Sequence, residues 1–267
     1  MIRELLRKYD IRLNRDLGQH FLSDTGQLKK IADAASLTKD DIVIEVGTGI
    51  GTLTKRLAEK AGFVVSVELD KKMIPAAKEY LKDLGNIELI NADIMKCNIP
   101  KLLAGHPEYK HKKVVANVPY YLTTPLITML VESKPKFELI VLTIQNEVAE
   151  RIVSKPGRKQ YGSFTVFVNY YTKPEIKARI PNTAFTPPPQ VGSAVLKLNV
   201  LDKPSVKVKD EKLFFRMVRG AFNQRRKMLK NALEAARIKW PESTSIDGKR
   251  RGETLSIEEF AELADSV

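Results

Sequence analysis

At 267 residues, 43% of them hydrophobic and with glycine and proline at 14 each, the chain can bury a full core and contains no repeat or low-complexity stretch. A net charge of +13 favours a polyanionic partner, and no apolar run approaches the roughly 20 residues that span a bilayer. Met1 to Arg15 is charged, so no secretory leader is expected, and the lone Cys97 excludes a disulfide framework and points to the reducing cytoplasm.

In chain order, a helix is expected over 27–35, followed by Ile42-Val43-Ile44-Glu45-Val46, a β-branched run of the kind that forms a buried parallel strand. The run ends in Gly47-Thr48-Gly49-Ile50-Gly51, and Thr52 to Lys60 reads as a helix with Leu53 and Leu57 on one face. Glycines at a strand-to-helix turn let the backbone approach a ligand closely. A dinucleotide fingerprint needs a further glycine three positions after the second, where Thr52 stands. The turn therefore fits S-adenosylmethionine better than a dinucleotide.

A second strand, 63–69, carries Glu68, 21 positions after Gly47, at the spacing from which a carboxylate reaches a ribose hydroxyl pair. After a helix over 71–84, a third strand, 87–92, ends at Asp93. That residue is placed to accept from the cofactor's adenine amine, to cap a short helix before Ile94, or to do both. Glu45 is a candidate for the cofactor's methionine amine, with a supporting structural role as the alternative.

A fourth strand, 114–118, runs into Asn117-Val118-Pro119-Tyr120. An amide oxygen, a backbone carbonyl of Val118 or Pro119 and an aromatic ring on one tight turn can hold an extruded adenine. The two oxygens accept the two protons of its exocyclic amine, and Tyr120 stacks on its face. Asn and Pro are also ordinary turn residues, and the tetrapeptide's position downstream of a nucleotide-binding pattern is what lifts it. A helix over 124–133, a strand over 138–144 and a helix over 146–153 complete a βαβα order, which implies a parallel sheet covered on both faces.

After Gly162 the pattern changes. Phe164 to Tyr171 and Ala194 to Leu201 are expected as an antiparallel hairpin closing the sheet edge. Between them Phe185-Thr186-Pro187-Pro188-Pro189-Gln190-Val191 is a stiff, helix-incompatible loop, with Phe185 a candidate second wall of the base pocket opposite Tyr120. From about residue 203 the chain becomes helical, with Phe214, Phe215, Val218, Phe222, Leu229 and Leu233 as core. Between Lys203 and Arg251 stand 15 Lys or Arg against 5 Asp or Glu, a net of +10. Arg225-Arg226-Lys227, expected at a helix start, are the RNA-binding candidates, since arginine is the better phosphate reader. His20, His106 and His111 lack metal-ligand spacing, and no metal is expected.

Taken with Leu17-Gly18-Gln19-His20-Phe21-Leu22, Gln145-Asn146-Glu147-Val148-Ala149, Val191-Gly192-Ser193 and Phe222-Asn223-Gln224-Arg225-Arg226-Lys227, these segments occur in an order that resembles the small-subunit ribosomal RNA adenine dimethyltransferase family, from about Leu17 to Leu233. The resemblance implies an α/β, Rossmann-like S-adenosylmethionine-dependent methyltransferase domain (1–202) and a small basic helical RNA-binding domain (203–267). It implies two methylations on each of two adjacent adenosines in a hairpin near the 3′ end of small-subunit ribosomal RNA, within a pre-ribosomal particle, by a cytoplasmic enzyme expected to be monomeric and tied to small-subunit biogenesis. In that family the segment 19–22 folds over the cofactor, which makes His20 and Leu22 cofactor contacts, although many members carry Asn where His20 stands. The set for the cofactor is then His20, Leu22, Glu45, Gly47, Gly49, Glu68, Asp93 and Asn117, and that for the base is Asn117, Pro119, Tyr120 and Phe185. Alternatives are an erythromycin-resistance-type methylase of large-subunit RNA, a non-catalytic assembly factor on the same fold and, third, a DNA adenine methylase.

Overall fold

The computed structural model describes residues 2–11 and 20–267; Leu17-Gly18-Gln19 of the sequence motif lie outside them. The chain divides into two compact units, one of residues 1–149 with 175–200 and one of 150–174 with 201–267.

The first unit is built on a seven-stranded sheet. Its strands are β2 (Asp41–Val46), β3 (Phe63–Glu68), β4 (Ile87–Asn91), β5 (His111–Asn117), β6 (Leu139–Gln145), β7 (Thr172–Ile180) and β9 (Ser193–Val200), while β1 (Phe21–Leu22) and β8 (Phe185–Thr186) pair separately. The order across the sheet is β4-β3-β2-β5-β6-β9-β7. The first five are parallel, with Ile44 beside both Val65 and Val114 and with Val115 beside Val141. All six residues of β2 are buried, as a strand covered on both faces requires. β9 is antiparallel to β6, setting Gln145 opposite Ser193.

The helices are α1 (Ile2–Lys8), α2 (Thr25–Ala34), α3 (Thr52–Lys60), α4 (Met73–Tyr80), α5 (Ile99–Ala104), α6 (Thr123–Glu132), α7 (Asn146–Ile152), α8 (Ser163–Tyr171), α9 (Glu211–Asn223), α10 (Leu229–Ala235) and α11 (Ile257–Asp265). None of the described helices is long and apolar enough to cross a membrane. After β2 the chain leaves to one side, through α3 to β3. It returns to β2's other side only with β5. The strand order therefore reverses between β2 and β5, where sheets of this class bind ligands beyond the strands' carboxyl ends. Gly47 and Asn117 follow or end these two strands, which brings them together.

Residues 164–171, expected as a strand, form α8. The run is β-branched and aromatic, hence the strand-like pattern. Its packing overrides that preference, with Tyr170 4.9–5.2 Å from the rings of Phe214, Phe215 and Tyr171. Thr165 and Asn169 tie α8 to the carbonyls of Arg151 and Ile152. The edge strand is β7 instead, whose burial alternates along its length. Because α8 packs on α9, residues 150–174 join the unit whose tail portion begins at 201. That unit's core holds Phe214, Met217, Leu229, Leu233 and Phe260. The last acidic stretch is α11, started by a reciprocal Ser256–Glu259 cap and buried through Phe260 and Leu263.

Candidate functional site

Within the first unit a cavity of about 310 Å³ opens beyond the ends of β2, β3, β4 and β5. Its wall includes His20, Leu22, Gly47, Gly49, Glu68, Asp93, Asn117, Pro119, Tyr120 and Phe185. Ten candidates named from the sequence thus meet around one space.

The glycine turn shapes its rim. Gly49 has φ +55°, and a β-carbon there would lie 2.6 Å from the Phe21 ring. Gly47 has φ +83°, and its β-carbon would project to within 3.7 Å of the Asn117 carbonyl, across the mouth between β2 and β5. Glu68 holds the turn in shape, accepting the Gly49 N–H at 2.7 Å on one oxygen and the Asp70 N–H at 2.8 Å on the other. Burial nevertheless pushes its carboxyl above the usual range. Asp93 caps the short helix 94–96 through the Met95 N–H at 3.0 Å, the cap expected of it, and also lines the cavity.

Glu68, Asp70 and Asp93 line this cavity, and among the described residues no lysine or arginine does. An acidic lining suits a cationic ligand and opposes a pyrophosphate. A sulfonium nucleoside fits an acidic space with a glycine turn at its rim. Gly49→Ala tests the turn. A left-handed alanine costs about 1–2 kcal/mol, and the clash with Phe21 adds to that. Calorimetric titration should show S-adenosylmethionine binding weakened about tenfold or more, with the fold retained.

Of the two roles expected of Glu45, the geometry fits the supporting structural one and not the cofactor contact. It is fully buried and does not line the cavity. Its side chain sits on the sheet face covered by α3, where one oxygen accepts from Thr54 Oγ1 and Ser66 Oγ, each at 2.6 Å. Because Ser66 donates to Glu45, the Thr48 hydroxyl 2.6 Å away must donate to Ser66. Glu45 therefore anchors the glycine turn from beneath through Ser66 and Thr48, and is no contact for the methionine amine. Burial pushes its carboxyl up to about 8, so it is protonated at neutral pH.

At the other rim, the Asn117 Nδ2 donates to the His20 carbonyl at 3.3 Å, which leaves Oδ1 as the end free to accept. The Pro119 carbonyl accepts the Leu122 N–H at 2.9 Å and closes the turn. The Tyr120 hydroxyl is held by Ser193 at 2.9 Å, and its ring lies 6.2 Å from that of His20, 28° from parallel. His20 in turn bonds through Nδ1 to the Pro187 carbonyl at 2.7 Å. Leu22 pairs with Phe185 in the β1–β8 ladder. Phe185 is only 3% exposed, so it backs the cavity wall from the core and does not present an open face. Pro187 and Ser193 stand in the sequence motifs without a role, since nothing local marks a residue as the partner of a ring 167 or 73 positions away.

In the second unit, Arg225-Arg226-Lys227 lie on the turn between α9 and α10 and not at a helix start, because α10 begins only at Leu229, capped by Met228. The Arg225 guanidinium donates to the Lys159 and Tyr161 carbonyls at 3.0 and 2.7 Å and lies 3.3 Å from Glu253. It holds the turn, while Arg226 and Lys227 are exposed. Among the described residues no three His, Cys, Asp or Glu gather as a metal site requires.

Residues 11–267 match the family model described as ribosomal RNA adenine dimethylase. The chain is 45% identical over 271 residues to the ribosomal RNA small subunit methyltransferase A of Clostridium botulinum (strain Okra / Type B1), covering 99% of this chain and 98% of that one. Two solved structures, a dimethyladenosine transferase from Plasmodium falciparum and the 23S rRNA methyltransferase ErmE, each superpose with a TM-score of 0.75 at 25% identity. They cover 91% and 92% of this chain, and 96% and 98% of their own. With the site's geometry, these matches settle the affiliation: the chain belongs to the ribosomal RNA adenine dimethylase family.

Proposed function

We propose that this S-adenosylmethionine-dependent ribosomal RNA adenine dimethylase places two methyl groups on each of two adjacent adenosines in a hairpin near the 3′ end of small-subunit ribosomal RNA. It acts as a monomer on a pre-ribosomal particle in the cytoplasm, and so takes part in small-subunit biogenesis. The observation that carries the small-subunit reading is the 45% identity, end to end, to a small subunit methyltransferase. Fold likeness alone is equal for the large-subunit enzyme.

S-adenosylmethionine supplies a methyl group already activated on a sulfonium. The chain's own residues do the rest. An adenine amine is a poor nucleophile because its lone pair is delocalised into the ring. Asn117 Oδ1 accepts one amine proton. The Val118 carbonyl accepts the other, since that of Pro119 is engaged by Leu122. Both bonds favour a pyramidal nitrogen whose lone pair is free to attack, so positioning and electrostatics carry the rate. Tyr120, its hydroxyl fixed on Ser193, offers a rigid face for the flipped base, and a hairpin loop lowers the cost of flipping. The methylated amine is acidic enough to lose its proton to water, so no general base is needed. The second unit, with Arg226 and Lys227 exposed, supplies the phosphate contacts.

The test is transfer of labelled methyl groups from S-adenosylmethionine to unmethylated small ribosomal subunits, with large subunits and duplex DNA in parallel. Label confined to dimethyladenosine in small-subunit RNA is expected. Label only in large subunits would overturn the substrate assignment, and cofactor binding without transfer would make the chain an assembly factor.

A further inference from the structure

The family motifs around Gln145 and around 187–193 include no residue assigned to contact the cofactor or the target amine directly. They nevertheless converge on a second cavity in the same unit, of about 400 Å³, within the size range of roughly 300–1,000 Å³ for ligand sites. Its wall consists of His20, Tyr120, Gln145 and the loop Pro187–Val191. It shares only His20 and Tyr120 with the first cavity, so those two rings stand between the spaces. Asn117, Val118 and Pro119 do not line it. A base seated there is out of reach of the groups that hold the reacting amine.

This second wall is pre-organised. The Pro187 carbonyl is held by His20, the Pro189 carbonyl accepts the Asn182 Nδ2 at 3.2 Å, and the Gly192 carbonyl accepts the Asn146 N–H at 3.1 Å. A β-carbon on Gly192 would lie 2.8 Å from the Asn146 amide, so the close approach of the loop to Asn146 requires glycine there. Three consecutive prolines add flat apolar faces with little conformational freedom. Against this rigid surface Gln145, half-buried at the end of β6, has no hydrogen-bond partner for its side-chain amide among the described residues. One free donor and one free acceptor on a planar amide, beside stacking surfaces, form a reader for a base edge. The match is adenine, whose 6-amino group donates while N7 accepts.

We propose that the second cavity receives the adenosine next to the one being methylated, and that Gln145 reads its edge as a positioning and specificity residue. The proposal rests on the two-adenosine reading above. It gives the enzyme a means of recognising a pair of adenosines, with Tyr120 and His20 separating the reacting base from its neighbour.

The experiment uses the full chain and small subunits reconstituted with RNA carrying either adenosine or purine riboside at the neighbouring position; purine riboside lacks only the 6-amino group. Methyl transfer to the remaining adenosine is measured as kcat/KM. Wild type should prefer the adenosine neighbour about tenfold or more. Gln145→Ala should bring that ratio close to one, while Gln145→Glu, which keeps an acceptor for the 6-amino group and loses the donor to N7, should retain the preference at a lower rate on both substrates, with S-adenosylmethionine affinity unchanged in each as proof of an intact fold. Equal wild-type rates on both substrates, or full discrimination retained in Gln145→Ala, would overturn the assignment. Absence of transfer by wild type to the adenosine-neighbour subunit would instead bring down the parent reading, and this one with it.

Discussion

Asn117→Ala is expected to lower the rate of methyl transfer to small subunits by about 10²–10³-fold, the size of effect seen when one pre-organised polar contact to a reacting centre is removed. The geometry explains why the loss falls on the rate. The Asn117 amide is oriented by its donor bond to the His20 carbonyl, so Oδ1 is fixed before the base arrives. Its substitution removes an acceptor that matters most as the amine nitrogen pyramidalises. Binding of S-adenosylmethionine should weaken by no more than about tenfold, the limit set by one neutral hydrogen bond. Single-turnover transfer and calorimetric titration on the same preparation separate the two effects. A variant that loses cofactor binding and transfer in equal proportion would show that Asn117 only shapes the cavity. Tyr120→Phe is the companion measurement. It keeps the stacking face and drops only the hydroxyl bond to Ser193, so its rate should fall far less than that of Asn117→Ala.

Much of this site was legible because its parts are local. The glycine turn, Glu68 and Asn117 each sit at the end of a recognisable strand, and parallel pairing then places strand ends side by side. The Val46–Ala116 register fixes the last step, bringing Gly47 to the Asn117 carbonyl. What was not legible depends on distant partners. Alternation along β2 says that Glu45 and Val46 face opposite ways, but not which face meets α3, so Glu45 could be assigned to the cofactor. Only the bonds from Thr54 and Ser66 place it beneath the turn. The strand-like composition of 164–171 yields to the aromatic packing on α9, which no local window contains. Arg225 looks like its neighbours in sequence, yet two backbone carbonyls and Glu253 make it a brace for the turn.

The pH dependence of stability gives Glu45 its own signature. Its folded carboxyl is pushed up to about 8 by burial, against 4.5 for the free side chain. Between those two values the folded state holds a proton that the unfolded chain has released. Stability must therefore fall as pH rises from about 4.5 to 8, by up to about 1.4 kcal/mol per pH unit from this group alone. Above pH 8 the contribution is constant. Glu68, raised in the same direction by burial, adds to the slope in wild type and remains in a Glu45 variant. Glu45→Gln keeps an oxygen for Thr54 and Ser66 but cannot titrate. It also places an amide N–H where the second Glu45 oxygen is buried with no partner among the described residues, which shifts its stability by a pH-independent offset. The difference in slope is then diagnostic. Urea unfolding of both proteins at several pH values from 5 to 8 should show wild type losing stability faster than Glu45→Gln as pH rises. Parallel pH profiles would mean that Glu45 is ionised in the folded protein, and that the turn over the cofactor site rests on a buried carboxylate.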